Sequence, residues 1–122
     1  MKKPIDIKTH AINDYVFGAV QLAGPSLLGI NKKAASAYQL LGTAFTTVNA
    51  LTDTPVGTSV ISVKTHQKAD LSFLGLLSAL TFSKMIKNDK KALGFHLGFL
   101  ALTLMNYLMT DYDARSSKPT AF

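Results

Sequence analysis

Two short stretches of this chain carry the residue types that do chemistry, and they are copies of one another. Lys8-Thr9-His10 is followed by Asp14, and Lys64-Thr65-His66 is followed by Asp70. The two histidines lie 56 residues apart, as do the two aspartates, and a second echo pairs Thr52-Asp53 with Thr110-Asp111 at a separation of 58. A histidine at i and an aspartate at i+4 stand one turn apart on the same face of a helix. That spacing suits two ligands of one metal, or a carboxylate that orients an imidazole. If the copies meet, His10, Asp14, His66 and Asp70 converge, with Asp53 and Asp111 arriving from the segments that close each copy. Two imidazoles and up to four carboxylates form a hard-to-borderline donor set, suited to zinc, manganese or iron and unsuited to copper(I).

The same six residues are also the makings of a hydrogen-bonded, salt-bridged collar. Lys8, Lys64 and Lys68 are near enough in sequence to supply its cations, and an aspartate before Thr-Pro, as at Asp53, commonly opens a turn. A third reading is proton or ion handling, since ionisable groups in a membrane segment are functional by default. His96 stands apart. It lies about 22 Å along a helix from Asp111, and its counterpart in the first copy is Tyr38, so no second histidine exists at that depth for a bis-histidine haem. An interhelical hydrogen bond is the expectation for it. Other chemistry finds no pattern here: there is no phosphate-binding glycine loop, no G-x-S-x-G elbow and no H-E-x-x-H.

The elements that must position these residues follow from where the apolar side chains fall. The 122 residues make one domain by length, and hydrophobic residues form 48% of them, gathered into four blocks with charges lying between. Segregation of this kind implies burial along whole segments, whereas helices of a soluble bundle carry charged outer faces. The expected segments are His10 to about Ile30, Ala34 to Thr52, His66 to about Ile86 and Ala92 to Thr110. About 20 residues at 1.5 Å each span a bilayer core. The second segment is polar for lipid, so much of it must face other helices. Pro25 interrupts the first segment late, and Gly94-x-x-x-Gly98 in the fourth would admit a close backbone neighbour. The mean hydropathy of +0.21 is modest for four spans and keeps a soluble four-helix bundle as the competing architecture.

The expected fold is therefore all-α: four transmembrane helices arranged as two tandem hairpins. Repeat one covers residues 8–57 and repeat two 64–113, with 114–122 a flexible tail. With two spans per repeat, both repeats begin on the same side, so the relation is a parallel pseudo-twofold along the membrane normal. Both termini and most acids then share one face, and Lys32, Lys33, Lys84, Lys87, Lys90 and Lys91 occupy the other. Lysine and arginine counts on the two faces are seven and six, too even for the positive-inside rule to orient the chain. The net charge of +6 resides on lysines beside apolar ends, with Arg115 the single arginine, which favours a lipid bilayer over nucleic acid as partner. Absence of cysteine excludes disulfides and thiolate metal sites. No cleavable signal is expected, since polar residues interrupt the first apolar run.

The repeat opening with His-x-x-x-Asp, the proline near the end of the first helix and the closing Leu51-Thr52-Asp53 together resemble the SPW-repeat group of small bacterial membrane proteins. His66, Asp70 and Thr110-Asp111-Tyr112 carry the likeness in the second copy. Ala23-Gly24-Pro25-Ser26 stands where Ser-Pro-Trp is expected, and the chain has no tryptophan. The resemblance implies four helices in a bacterial inner membrane and brings no activity with it. Two functional expectations stand. One is a small structural or interaction membrane protein whose His/Asp/Thr cluster fixes packing. The other is a membrane-interface metal-binding protein, enzymatic or ion-handling, using His10, Asp14, Asp53, His66, Asp70 and Asp111. The polar second segment is also compatible with a homo-oligomer.

Overall fold

The computed structural model describes residues 3–113 and 119–122. It is all-helical, with α1 at Ile7–Leu27, α2 at Lys32–Leu51, α3 at Val63–Leu80, a single turn α4 at Lys84–Lys87 and α5 at Lys90–Met109. Each long helix begins where the sequence supplies an acceptor for its first free N–H groups. Asp6 caps α1 through Thr9 N, Asn31 caps α2 through Ala34 N, Ser62 caps α3 through Thr65 N, and Asp89 caps α5 through Lys91 N and Ala92 N. These caps are equivalents in the two copies. Pro25 lies inside α1, which ends two residues later at Leu27, so the proline closes the helix rather than kinking a longer one. The third segment is shorter than expected. It stops at Leu80, and Ser83 starts α4 where continuous helix to Ile86 was anticipated.

The two halves contact each other reciprocally. Ile5, ahead of α1, bridges Thr110 at the end of α5, and Ile61, ahead of α3, bridges Thr52 at the end of α2. At the opposite end the caps themselves meet, Asn31 Nδ2 donating to Asp89 Oδ2 at 2.9 Å. Midway, Tyr38 donates to His96 Nδ1, and His96 Nε2 donates to Leu77 O at 2.9 Å. The expected interhelical bond of His96 is thus with its own repeat counterpart, and a ring that accepts at one nitrogen and donates at the other is neutral. An apolar core of Ile30, Tyr38, Leu41, Leu77, Ile86 and Phe99 occupies the lysine-bearing end. The polar interior lies at the other.

Two expectations need correction, and a third falls partly outside the described residues. Among the described residues only α5 is long and apolar enough to cross a bilayer by its own composition, where four such helices were anticipated. Asn13, Asp14 and Gln21 dilute α1, a run of Thr, Gln and Asn dilutes α2, and His66, Gln67, Lys68 and Asp70 dilute α3. Second, the Gly94/Gly98 pair faces open space, since a Cβ built at either meets nothing within 4 Å. The close approach is between α1 and α2 instead, where a Cβ on Gly42 would lie 2.9 Å from Gln21 Cβ and 3.2 Å from Gly18 O. Third, the expected tail is only partly within the described residues. Residues 114–118 lie outside them, and Ala121 N donates to Val60 O at 3.0 Å while Ser62 N donates to Phe122 O at 2.9 Å.

Candidate metal centre

His10 and Asp14 point from α1, and His66 and Asp70 from α3, into one buried space. All four are at most 5% exposed. One turn of helix separates the members of each pair, so the ring and carboxylate of one copy stack along the same face and meet the matching face of the other. His10 Nε2 lies 3.0 Å from Asp14 Oδ2 and 3.0 Å from Asp70 Oδ2. His66 Nε2 lies 2.9 Å from Asp14 Oδ2 and 3.2 Å from Asp70 Oδ2. The two Nε2 atoms are 3.3 Å apart. Each group therefore offers one ligand atom to a common centre. A metal about 2.0–2.1 Å from nitrogen and oxygen donors needs tetrahedral edges of about 3.3–3.4 Å. The nitrogen–nitrogen edge already matches at 3.3 Å, and the four nitrogen–oxygen edges, at 2.9–3.2 Å, are shorter by an amount within reach of side-chain adjustment.

The threonines that close each copy determine which ring nitrogen faces this centre. Thr52 Oγ1 donates to Val48 O at 2.7 Å, and Thr110 Oγ1 donates to Asn106 O. A hydroxyl has a single proton, so toward a third group each threonine can only accept. His66 Nδ1 lies 2.7 Å from Thr52 Oγ1 and His10 Nδ1 lies 2.7 Å from Thr110 Oγ1. His66 Nδ1 must then carry hydrogen and donate, whereas at His10 Nδ1 the Thr110 acceptor competes with the Asn106 amide, a donor 3.0 Å away. What faces inward is Nε2, and with hydrogen on Nδ1 its lone pair is free for a ligand, the arrangement that outer hydrogen-bond partners impose on metal-binding histidines. Bare nitrogens and carboxylate oxygens at these separations repel unless a cation lies among them. Protons on both Nε2 atoms would also neutralise the charge, His10 donating to Asp70 Oδ2 at 3.0 Å and His66 to Asp14 Oδ2 at 2.9 Å. One metal ion at their centre would satisfy all four atoms together.

Further partners hold the carboxylates. Asn106 Nδ2 donates to Asp14 Oδ1 at 3.2 Å, and Asn13 Nδ2 orients that amide by donating to Asn106 Oδ1 at 2.9 Å. Tyr112 donates its phenol proton to Asp70 Oδ2 at 2.8 Å and packs edge-on against His10, with ring centres 5.2 Å apart. Burial, and then the Asp70 charge beside it, pushes the Tyr112 phenol above its ordinary range, so it remains a donor. Asp70 Oδ1 is buried with no hydrogen-bond partner among the described residues.

Four of the six candidate ligands come together and two do not. Asp53 accepts from Ser59 Oγ at 2.6 Å within the loop after α2, and Asp111 accepts from Asp113 N at 3.0 Å. Both belong to turn geometry at the helix ends, one residue beyond the threonines that do reach the histidines. Among the described residues no lysine enters the group either. Lys64 pairs with Asp113 at 2.8 Å on the surface, where its ammonium holds that carboxyl below the usual range. Tyr112 and Asn13 are contributors that the repeated motifs do not reveal. Neither has a like residue in the other copy (Thr54 and Ala69), so the echoes could not point to them. The chain matches no family model, no curated protein and no solved structure in comparisons with known proteins.

Proposed function

We propose that this chain is a small integral membrane protein that holds one divalent transition metal, zinc, manganese or iron, between its two halves. The metal is bound by His10, Asp14, His66 and Asp70 near one rim of the bundle. The observation that carries the reading is the pair of threonine-bonded imidazoles, whose inward nitrogens meet two carboxylate oxygens at 2.9–3.2 Å. Two nitrogen and two oxygen donors suit zinc, manganese or iron(II) and give a neutral centre with a dication.

The membrane placement is supported by the distribution of side chains. Polar groups such as Asp14, Gln21, Asn49, His66, Asp70, His96 and Asn106 are buried, while Leu40, Leu71, Val16 and Leu102 are 75%, 58%, 55% and 56% exposed. Between Lys8 and Lys32, Lys33 and Lys64, Lys68 and Lys84, and Lys91 and Asp111, the charged residues are Asp14, Asp53 and Asp70, all buried. Only 28% of the apolar window of α5 is buried inside the protein, which is the reverse of a soluble core helix. Four spans with a parallel pseudo-twofold along the membrane normal accommodate these facts, because polar groups on α1, α2 and α3 then face one another. The likeness to the SPW-repeat group fits the same arrangement.

The direct contacts between the histidines and aspartates also suit a second reading, a proton-locked collar that ties the halves together without metal. Elemental analysis of the purified protein separates the two. About one equivalent of metal is expected in the wild type and none in the His10→Ala/His66→Ala variant. A metal-free wild-type protein that stays folded and takes up neither zinc, manganese nor iron(II) on addition leaves only the collar.

A further inference from the structure

A cavity of about 20 Å³ adjoins the four-residue centre on the side of the bundle interior. His10, Asp14 and Asp70 line it at one end, and Phe73, Leu77 and Phe99 are among its apolar walls. A single water needs about 10–15 Å³ measured in the same way, so the space takes one water and nothing larger. An apolar cavity of this size would stay dry, but this one has a polar end. Asp70 is 5% exposed, and its Oδ1 is a buried acceptor with no donor among the described residues. Its other oxygen, Oδ2, is already shared between the two imidazoles and the Tyr112 hydroxyl. A buried carboxylate oxygen left this way is costly unless something donates to it.

We propose that the metal centre keeps one coordination position for a water molecule, seated in this cavity and donating a hydrogen bond to Asp70 Oδ1. The inference rests on the metal reading above and adds to it the class of site. Structural metal centres are closed by their protein ligands, whereas catalytic ones retain an exchangeable water. A divalent metal held there would lower the pKa of such a water, and Asp70 Oδ1 would accept its hydrogen. Only Asp70 offers this, since Asn106 already donates to the corresponding Asp14 Oδ1. The two copies therefore supply equivalent ligands and unequal second oxygens, which gives the centre a reactive side.

The test loads the full-length protein with manganese(II) in water enriched in oxygen-17 and reads the metal's neighbours by pulsed electron paramagnetic resonance. Nitrogen-14 couplings from His10 and His66 are expected together with an oxygen-17 coupling from one directly bound water. In Leu77→Phe, which places a ring in the cavity, the nitrogen couplings are expected to persist and the oxygen-17 coupling to vanish. Nitrogen couplings without oxygen-17 in the wild type overturn the inference and leave the metal centre standing. Absence of both sinks the metal reading itself. An oxygen-17 coupling retained in Leu77→Phe removes the water from the cavity and likewise overturns the inference. Should that variant not fold, the visible spectrum of the cobalt(II)-loaded wild type decides: weak five-coordinate bands support the water, and intense tetrahedral bands exclude it.

Discussion

Thr52 and Thr110 each use their only hydroxyl proton on a carbonyl of their own helix, and this presents an acceptor to Nδ1 of each histidine. Removing the oxygen and keeping the shape tests that contact. Thr52→Val and Thr110→Val are each expected to lower metal affinity about 10–100-fold, read by competition with a chelator, while the fold persists. Val is close to Thr in size, so an equal loss in far-ultraviolet circular dichroism would instead mark the threonines as structural. Because a ligating Nε2 must be unprotonated, bound metal is expected to be released as pH falls through the imidazole range, about 6.5 for a free histidine. Equilibrium dialysis across pH checks the direction: affinity rises with pH below that range. Asp53→Asn and Asp111→Asn should leave the metal content unchanged, because neither carboxylate belongs to the converging group.

At the scale of elements, the two hairpins share a plan and differ in how closely they are drawn together. Gly18 and Gly42 let α1 and α2 approach until a Cβ would meet backbone, whereas their second-copy equivalents are Leu74 and Leu100. Gly42→Ala must displace Gln21 or part the helices, and is expected to destabilise the protein by about 1–3 kcal/mol. Gly98→Ala meets nothing, so the gain in helix propensity should stabilise by about 0.5–1 kcal/mol. Unfolding in detergent measures both. The opposite ranking would contradict a close contact between α1 and α2. The reciprocal bridges Ile5 to Thr110 and Ile61 to Thr52 explain how elements far apart in sequence deliver the threonines. Each threonine reaches the histidine of the other copy, so neither repeat can complete its half of the centre alone.

At the scale of the whole molecule, the interior is divided between an apolar core at the lysine-bearing end and a polar cluster at the other, with large aliphatic side chains turned outward between them. In water that surface would be costly, at roughly 25 cal/mol for each Å² left exposed. The membrane placement proposed above removes the cost, and it predicts that the protein stays with the membrane pellet after alkaline carbonate extraction. Recovery in the soluble fraction as a monodisperse species would defeat it. The metal prediction is independent of that outcome, since the centre is enclosed by protein in either solvent.

The duplication, the helical class and the four converging candidate ligands were legible in the residues themselves, because a helix has a fixed period and a copied spacing survives folding. His10 and Asp14 had to share a face, and their copies had to do the same. Only the tertiary structure decided that Thr52 and Thr110, rather than Asp53 and Asp111, turn inward. At a helix end the chain leaves the 3.6-residue period, and the next residue points wherever the turn sends it. The same holds for Tyr112, Asn13 and the cavity beside Asp70. These have no echo in the other copy and arise from the packing of unequal side chains about an otherwise repeated frame.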